Sequence, residues 1–255
     1  MRLRATTIYA DAWGLWRADW SILTAAAGMF VFLPRLGLSL LVPEFPDMSK
    51  VTSSNPDDPA FRALAAAVSD WMQHYALPVI GDALVEWFGA LALVAIYLAA
   101  RRALVGEALL TSLRLLPRFV LAMLIWQVPM GVLAFLLLPL PFVMVPLLAL
   151  VMARMLLITP AILAARPIGA AVAIGRSFTM TRGNMLVLAS VTLSVIIAQY
   201  LIQIPFLALD QWLVKNGPNP VARLIADTFV AGAIALAATA TALIQVAVWR
   251  RLSSS

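Results

Sequence analysis

Cysteine is absent from the 255 residues and histidine occurs once, at His74. The first absence excludes disulfides and thiolate metal centres; the second excludes a paired-imidazole metal site and argues against a Ser–His relay. No Gly-rich phosphate loop, zinc-protease histidine pair or nucleophile elbow occurs either. No catalytic residue, metal ligand or cofactor is therefore expected. Charge is also scarce. Asp, Glu, Lys and Arg make up 12% of the chain and hydrophobic residues 63%, whereas a soluble domain carries about 25% charged residues.

What the chain does have is six apolar windows, at residues 21–42, 77–100, 119–138, 142–163, 185–207 and 224–249. A hydrocarbon core about 30 Å thick requires roughly 20 apolar residues in a helix rising about 1.5 Å each. Backbone amides cannot stay unpaired in lipid, and continuous rather than alternating apolar runs exclude a closed barrel. The predicted fold is all-α. It is a single integral membrane domain over residues 1–255, with six transmembrane helices in three hairpins and cytoplasmic amphipathic connecting helices. Pro139 and Pro141 mark a tight reversal between the third and fourth spans. Residues 1–4 are basic, but the first apolar run starts only after Asp19 and Trp20 and outlasts a signal-peptide core. That span is expected to persist as an anchor.

With the N-terminus inside, the inner segments hold 13 arginines against three acids, Asp11, Asp19 and Glu107. The outer segments hold five cations against nine acids, among them Glu44, Asp57, Asp58, Asp70 and Asp210. This bias predicts a bacterial inner-membrane protein with both termini cytoplasmic. Arginines spread over four inner segments read as topology determinants and contacts for anionic phospholipid headgroups, not as a nucleic-acid surface. The expected partners are the bilayer itself and unidentified membrane or envelope proteins.

Three inner segments carry helical stripes. They comprise Ala12, Trp13, Trp16 and Trp20; Leu104, Ala108, Leu109 and Leu113; and Ile168, Ala171, Val172, Gly175 and Phe178. Each precedes an odd-numbered span, which suggests a surface helix plus hairpin repeated three times. On the outer side, Asp58 and Pro59 cap a helix aligning Phe61, Leu64, Val68, Trp71, Met72 and Tyr75, within an outer region spanning residues 43–76. Trp16, Trp20, Trp71, Trp212 and Trp249 fall at expected interfaces and read as belt residues.

Ionisable groups inside spans are costly and mark places to look for work. Arg35 lies in the first span; Asp82 and Glu86, an i,i+4 pair, lie in the outer half of the second, with Glu86 near the depth of Arg35. The three read either as an ion pair fixing helix register or as a proton or cation relay. Gln127, Gln199, Gln203 and Gln245 are the intramembrane amides. They either cement helices or line a path. Ala231, Ala235 and Thr239, four residues apart, predict close packing of the sixth span.

Residues 153–184 read ARMLLITPAILAARPIGAAVAIGRSFTMTRGN. Arg154, Thr159, Pro160 and Ala161, followed by Arg176, Ser177, Phe178, Met180, Thr181, Arg182, Gly183 and Asn184, form a pattern that resembles the membrane-domain family named after glycerophosphoryl diester phosphodiesterases. Ala12-Trp13, Trp20 and Pro34 resemble that family's opening. An acidic residue common after the Pro-Ala step is replaced by Ala164 and Ala165, and no phosphodiesterase barrel follows. The resemblance implies a six-span membrane domain associated with phospholipid or envelope biology. Physically, Arg154 must snorkel or pair with an acid or carbonyls, while Arg176 and Arg182 could hold a surface helix on anionic lipid. The expected role is a non-enzymatic scaffold or membrane subunit. The alternatives are a small transporter using Arg35, Asp82, Glu86 and the glutamines, marked by a water-filled cavity joining Glu86 to Gln127, Gln199 or Gln203, and a carboxylate-dependent lipid-modifying enzyme.

Overall fold

The computed structural model describes residues 3–46, 57–98, 105–136, 141–164, 168–217 and 219–254, and all secondary structure among them is helical. The elements are α1 (Ala5–Ala27), a π-helical turn (Gly28–Phe32), α2 (Leu33–Leu41), α3 (Pro59–Leu98) and α4 (Val105–Leu136). They continue with α5 (Pro141–Met155), α6 (Ile158–Ala164), α7 (Ala170–Thr181), α8 (Met185–Asn216) and α9 (Pro220–Ser253). Six helical stretches are long and apolar enough to cross a membrane. The protein is an all-α, multi-pass membrane protein.

Several helices outrun the predicted spans. α3 is one 40-residue helix that continues through Pro78, about 60 Å long, so the outer amphipathic segment and the second span are a single rod. Its start is as expected: Asp58 Oδ1 accepts the Ala60 N–H at 2.8 Å. Trp71 donates to the Pro43 carbonyl at 2.9 Å, and its ring meets Phe45 edge-on at 5.0 Å. Residues 43–46 are thereby packed on the rod; the rest of the predicted loop, 47–56, lies outside the described residues. α4 likewise joins the second connecting helix to the third span through Pro117. The Pro139 reversal is also outside the described residues.

The predicted connecting-helix stripes divide between packed and exposed positions, with Ala12 and Ala108 buried and the large residues Trp13, Trp20, Leu113, Val172 and Phe178 exposed. On α7 the buried side chains are Ala170, Ala173, Ser177 and Thr181, while Val172 is 60% and Phe178 40% exposed. On α4 the buried row is Ala108, Ser112, Leu115, Phe119 and Ala122, with Leu113 59% exposed. Trp13 and Trp20 face outward too. In lipid, a large apolar side chain gains nothing by turning inward, and helices approach closely through small residues. Small and weakly polar residues therefore mark the packed face. The sixth span conforms, with Ala231, Ala235 and Thr239 all buried in α9. Trp249 departs from its belt role: it is buried, with the Arg176 guanidinium 5.4 Å above its ring.

α9 is the hub, packing on α1, α2, α3, α6 and α8, and α5 packs on α8 and α7 rather than mainly on α4. At one end, Asp11 and Arg251 form a two-pronged ion pair at 2.5 and 3.0 Å. Arg250 donates to the Tyr97 carbonyl at 2.9 Å, and Leu3 N–H donates to Asn184 Oδ1 at 2.9 Å. Residues 3 and 251 thus share one arginine-rich end. At the opposite end Gly217, at φ 126°, terminates α8, and Asn219 caps α9 by accepting from the Val221 and Ala222 amides.

Two departures from α-geometry have proline as their cause. Pro34 offers no N–H to the Phe30 carbonyl and its ring crowds that turn, so the first span widens to π-geometry over Gly28–Phe32. The first span also breaks direction at Asp19, whose φ of −130° separates the connecting helix from the membrane helix. The fourth span is interrupted at Leu156 and Leu157, four and three residues before Pro160.

Candidate functional site

Arg35 reaches Asp82 rather than Glu86, its Nη1 lying 3.4 Å from Asp82 Oδ2. The carboxylate side chain is 8% exposed and the guanidinium 45%. Glu86 sits one turn further along α3, where Arg35 and Asp82 are the charges acting on it, and it makes no ion pair among the described residues. The structure thus brings all three predicted groups together but divides them: one pair, and one carboxylate left over. Charge reversal of Arg35 to Glu is expected to cost about 1–3 kcal/mol by placing three acids together. Asp82→Arg should restore the folded yield in Arg35→Glu, whereas Glu86→Arg should restore less, as read by monodispersity after detergent extraction.

More acids cluster outward of this pair. Arg223 lies 3.4 Å from Glu44 and 3.6 Å from Asp210. Asp227, one turn along α9, feels the same charges, and a pocket of ≈ 240 Å³ places it on a common wall with Arg35 and Trp71. The end opposite the arginine-rich one therefore carries Glu44, Asp82, Glu86, Asp210 and Asp227 around Arg35 and Arg223. Asp227 was not singled out by sequence, because near a helix start it reads as an ordinary solvated acid.

Inward of Glu86 lies a cavity of ≈ 340 Å³ between α3, α4, α5, α8 and α9. Glu86, Trp87, Trp126, Thr192, Gln199, Thr241 and Gln245 supply its polar and aromatic lining. Thr192 Oγ1 is buried and finds no hydrogen-bond partner among the described residues. Two of the four predicted amides, Gln199 and Gln245, therefore line a shared space with Glu86. Gln203 is buried elsewhere and Gln127 is exposed on α4. The threonines and tryptophans escaped the sequence reading, although a signal exists: Thr192 and Gln199 are seven residues apart, and Thr241 and Gln245 four apart. Each pair thus shares a helical face.

The 153–184 motif does different work. Pro160 leaves the α5–α6 junction without a continuous hydrogen-bond ladder, and Ser177, fully buried on α7, fills the gap. Its Oγ donates to the Arg154 carbonyl at 2.5 Å and accepts the Leu157 N–H at 3.2 Å. Arg154 Nη1 donates to the Phe178 carbonyl at 3.0 Å, the backbone partner expected for a cation this deep. Thr181 Oγ1 returns to the Ser177 carbonyl at 2.8 Å, Gly183 turns the chain at φ 86°, and Asn184 holds Leu3. Thr159 and Pro160 are buried inside α6. Arg176 and Arg182 remain exposed. Among the described residues no group of three His, Cys, Asp or Glu side chains could hold a metal. Compared with models of protein families, with curated proteins and with solved structures, the chain matches none.

Proposed function

We propose that this protein is a small membrane carrier that binds a polar solute in the cavity between Glu86, Gln199 and Gln245. One observation carries the reading: three intramembrane polar groups from three helices converge on one space instead of cementing helix contacts. Of the roles open from sequence, a carrier requires such a space; a scaffold does not. The acidic end would face the cell exterior of a bacterial inner membrane, and the arginine-rich end, with residues 3 and 251, the cytoplasm. Exposed Arg182 and the outward-facing Trp13 and Trp20 would sit at anionic headgroup level. The Arg154–Asn184 segment, through its resemblance to the phosphodiesterase-associated membrane domains, supports a setting in phospholipid or envelope metabolism.

The absence of native cysteine makes the test direct. Single cysteines at Thr192, Gln199 and Gln245 should react with a membrane-impermeant methanethiosulfonate reagent, while one at lipid-facing Leu201 should not. In intact cells Asp70→Cys should react and Ser254→Cys should react only after permeabilisation. Unreactive cavity positions would reject the carrier, and the reverse labelling of residues 70 and 254 would reject the orientation.

A further inference from the structure

Resting on the carrier reading, we infer that the cavity selects a small organic ammonium ion, with Glu86 as counter-ion and Trp87 and Trp126 as its aromatic walls. Arg35 is committed to Asp82 at 3.4 Å, so the Glu86 carboxylate, which lines the cavity, has no ion-pair partner among the described residues. The same end of the molecule carries Glu44, Asp210 and Asp227 around Arg223, so acids outnumber cations there, a balance that raises the local concentration of cations. Among the described residues no cationic side chain lines the cavity itself.

Size and chemistry narrow the class. A bare metal ion needs oxygens closing to about 2.3–2.6 Å on several sides, and a cavity of ≈ 340 Å³ with one carboxylate is too wide for that. The volume is at the small end of about 300–1,000 Å³ for small-molecule sites. Indole faces attract ammonium and quaternary nitrogen through the ring quadrupole. Gln199, Gln245 and the unpartnered Thr192 hydroxyl offer acceptors and donors to a hydroxyl or amine elsewhere on the same ligand. The same chemistry belongs to a free amino alcohol and to the headgroup of a zwitterionic lipid.

Isothermal titration of the full chain in phosphatidylglycerol nanodiscs separates the possibilities. Choline should bind at least tenfold more tightly than its neutral isostere 3,3-dimethyl-1-butanol. Glu86→Gln should lower choline affinity at least tenfold, and Trp126→Leu should lower it in a variant whose counter-ion is intact. Adding phosphatidylethanolamine or phosphatidylcholine to the disc should weaken choline binding if a headgroup enters the site, and leave it unchanged if the ligand is a free amine. Choline that fails to bind, or that binds no better than the isostere, overturns the ammonium assignment. So does a folded Glu86→Gln protein that binds as the parent does. The carrier reading survives those results if the Gln199 and Gln245 cysteines still label, and falls with it if they do not.

Discussion

Ser177→Ala is expected to lower the stability of the folded chain by about 3 kcal/mol, a large effect for the loss of one oxygen atom. Two backbone groups depend on that oxygen, the Arg154 carbonyl and the Leu157 N–H. Both lie beside the helix interruption at Leu156 and Leu157, and Ser177 is fully buried. An unsatisfied buried polar group costs about 1–3 kcal/mol, and no water reaches this junction cheaply from the lipid side. SDS-titrated unfolding in mixed micelles would measure the loss. Ser190→Ala, which removes an exposed hydroxyl that donates to the carbonyl three residues earlier in its own helix, should change little. Equal effects at the two positions would show that the junction does not need the hydroxyl.

Gly89→Ala should be comparably damaging for an opposite reason. A Cβ at residue 89 would lie 2.6 Å from the Phe30 Cβ, well inside the 3.5–4.0 Å optimum for carbon contacts. That Cβ is anchored to the backbone and cannot swing away. α3 would have to withdraw from the π-turn, loosening the Phe30–Phe88 edge contact at 5.1 Å and costing about 1–3 kcal/mol. Gly81→Ala, on the same helix with open space around it, should be neutral or stabilising by up to about 1 kcal/mol. The same unfolding titration distinguishes them, and a neutral Gly89→Ala would mean that α3 and the π-turn do not approach so closely.

How much was legible follows from which physics acts locally. The six spans and the Asp58 cap could be read because hydropathy and capping depend on a few neighbouring residues. Small residues at four-residue spacing in α9 were equally direct. The apolar stripes of α4 and α7 could be read, but not which residues pack: Leu113 and Val172 are exposed while Ala108, Ser112, Ala173 and Ser177 are buried, because between membrane helices small residues rather than large apolar ones mark the packed face. Pro160 was visible, but that its gap is closed by a hydroxyl 17 positions later depends on how α7 folds back. The choice of Asp82 over Glu86 turns on one helical turn of depth, finer than window edges resolve. The cavity needed five helices placed at once, and no single segment contains it.

The Asp11–Arg251 clasp imposes an order on biosynthesis. Asp11 emerges from the ribosome 240 residues before its partner, so until the last helix arrives the N-terminal segment has only earlier contacts to hold it, such as that of Leu3 with Asn184. Completion of the bundle is thus timed by the last span, and a ribosome stalled within α9 would leave the N-terminal helix without the hub it packs on.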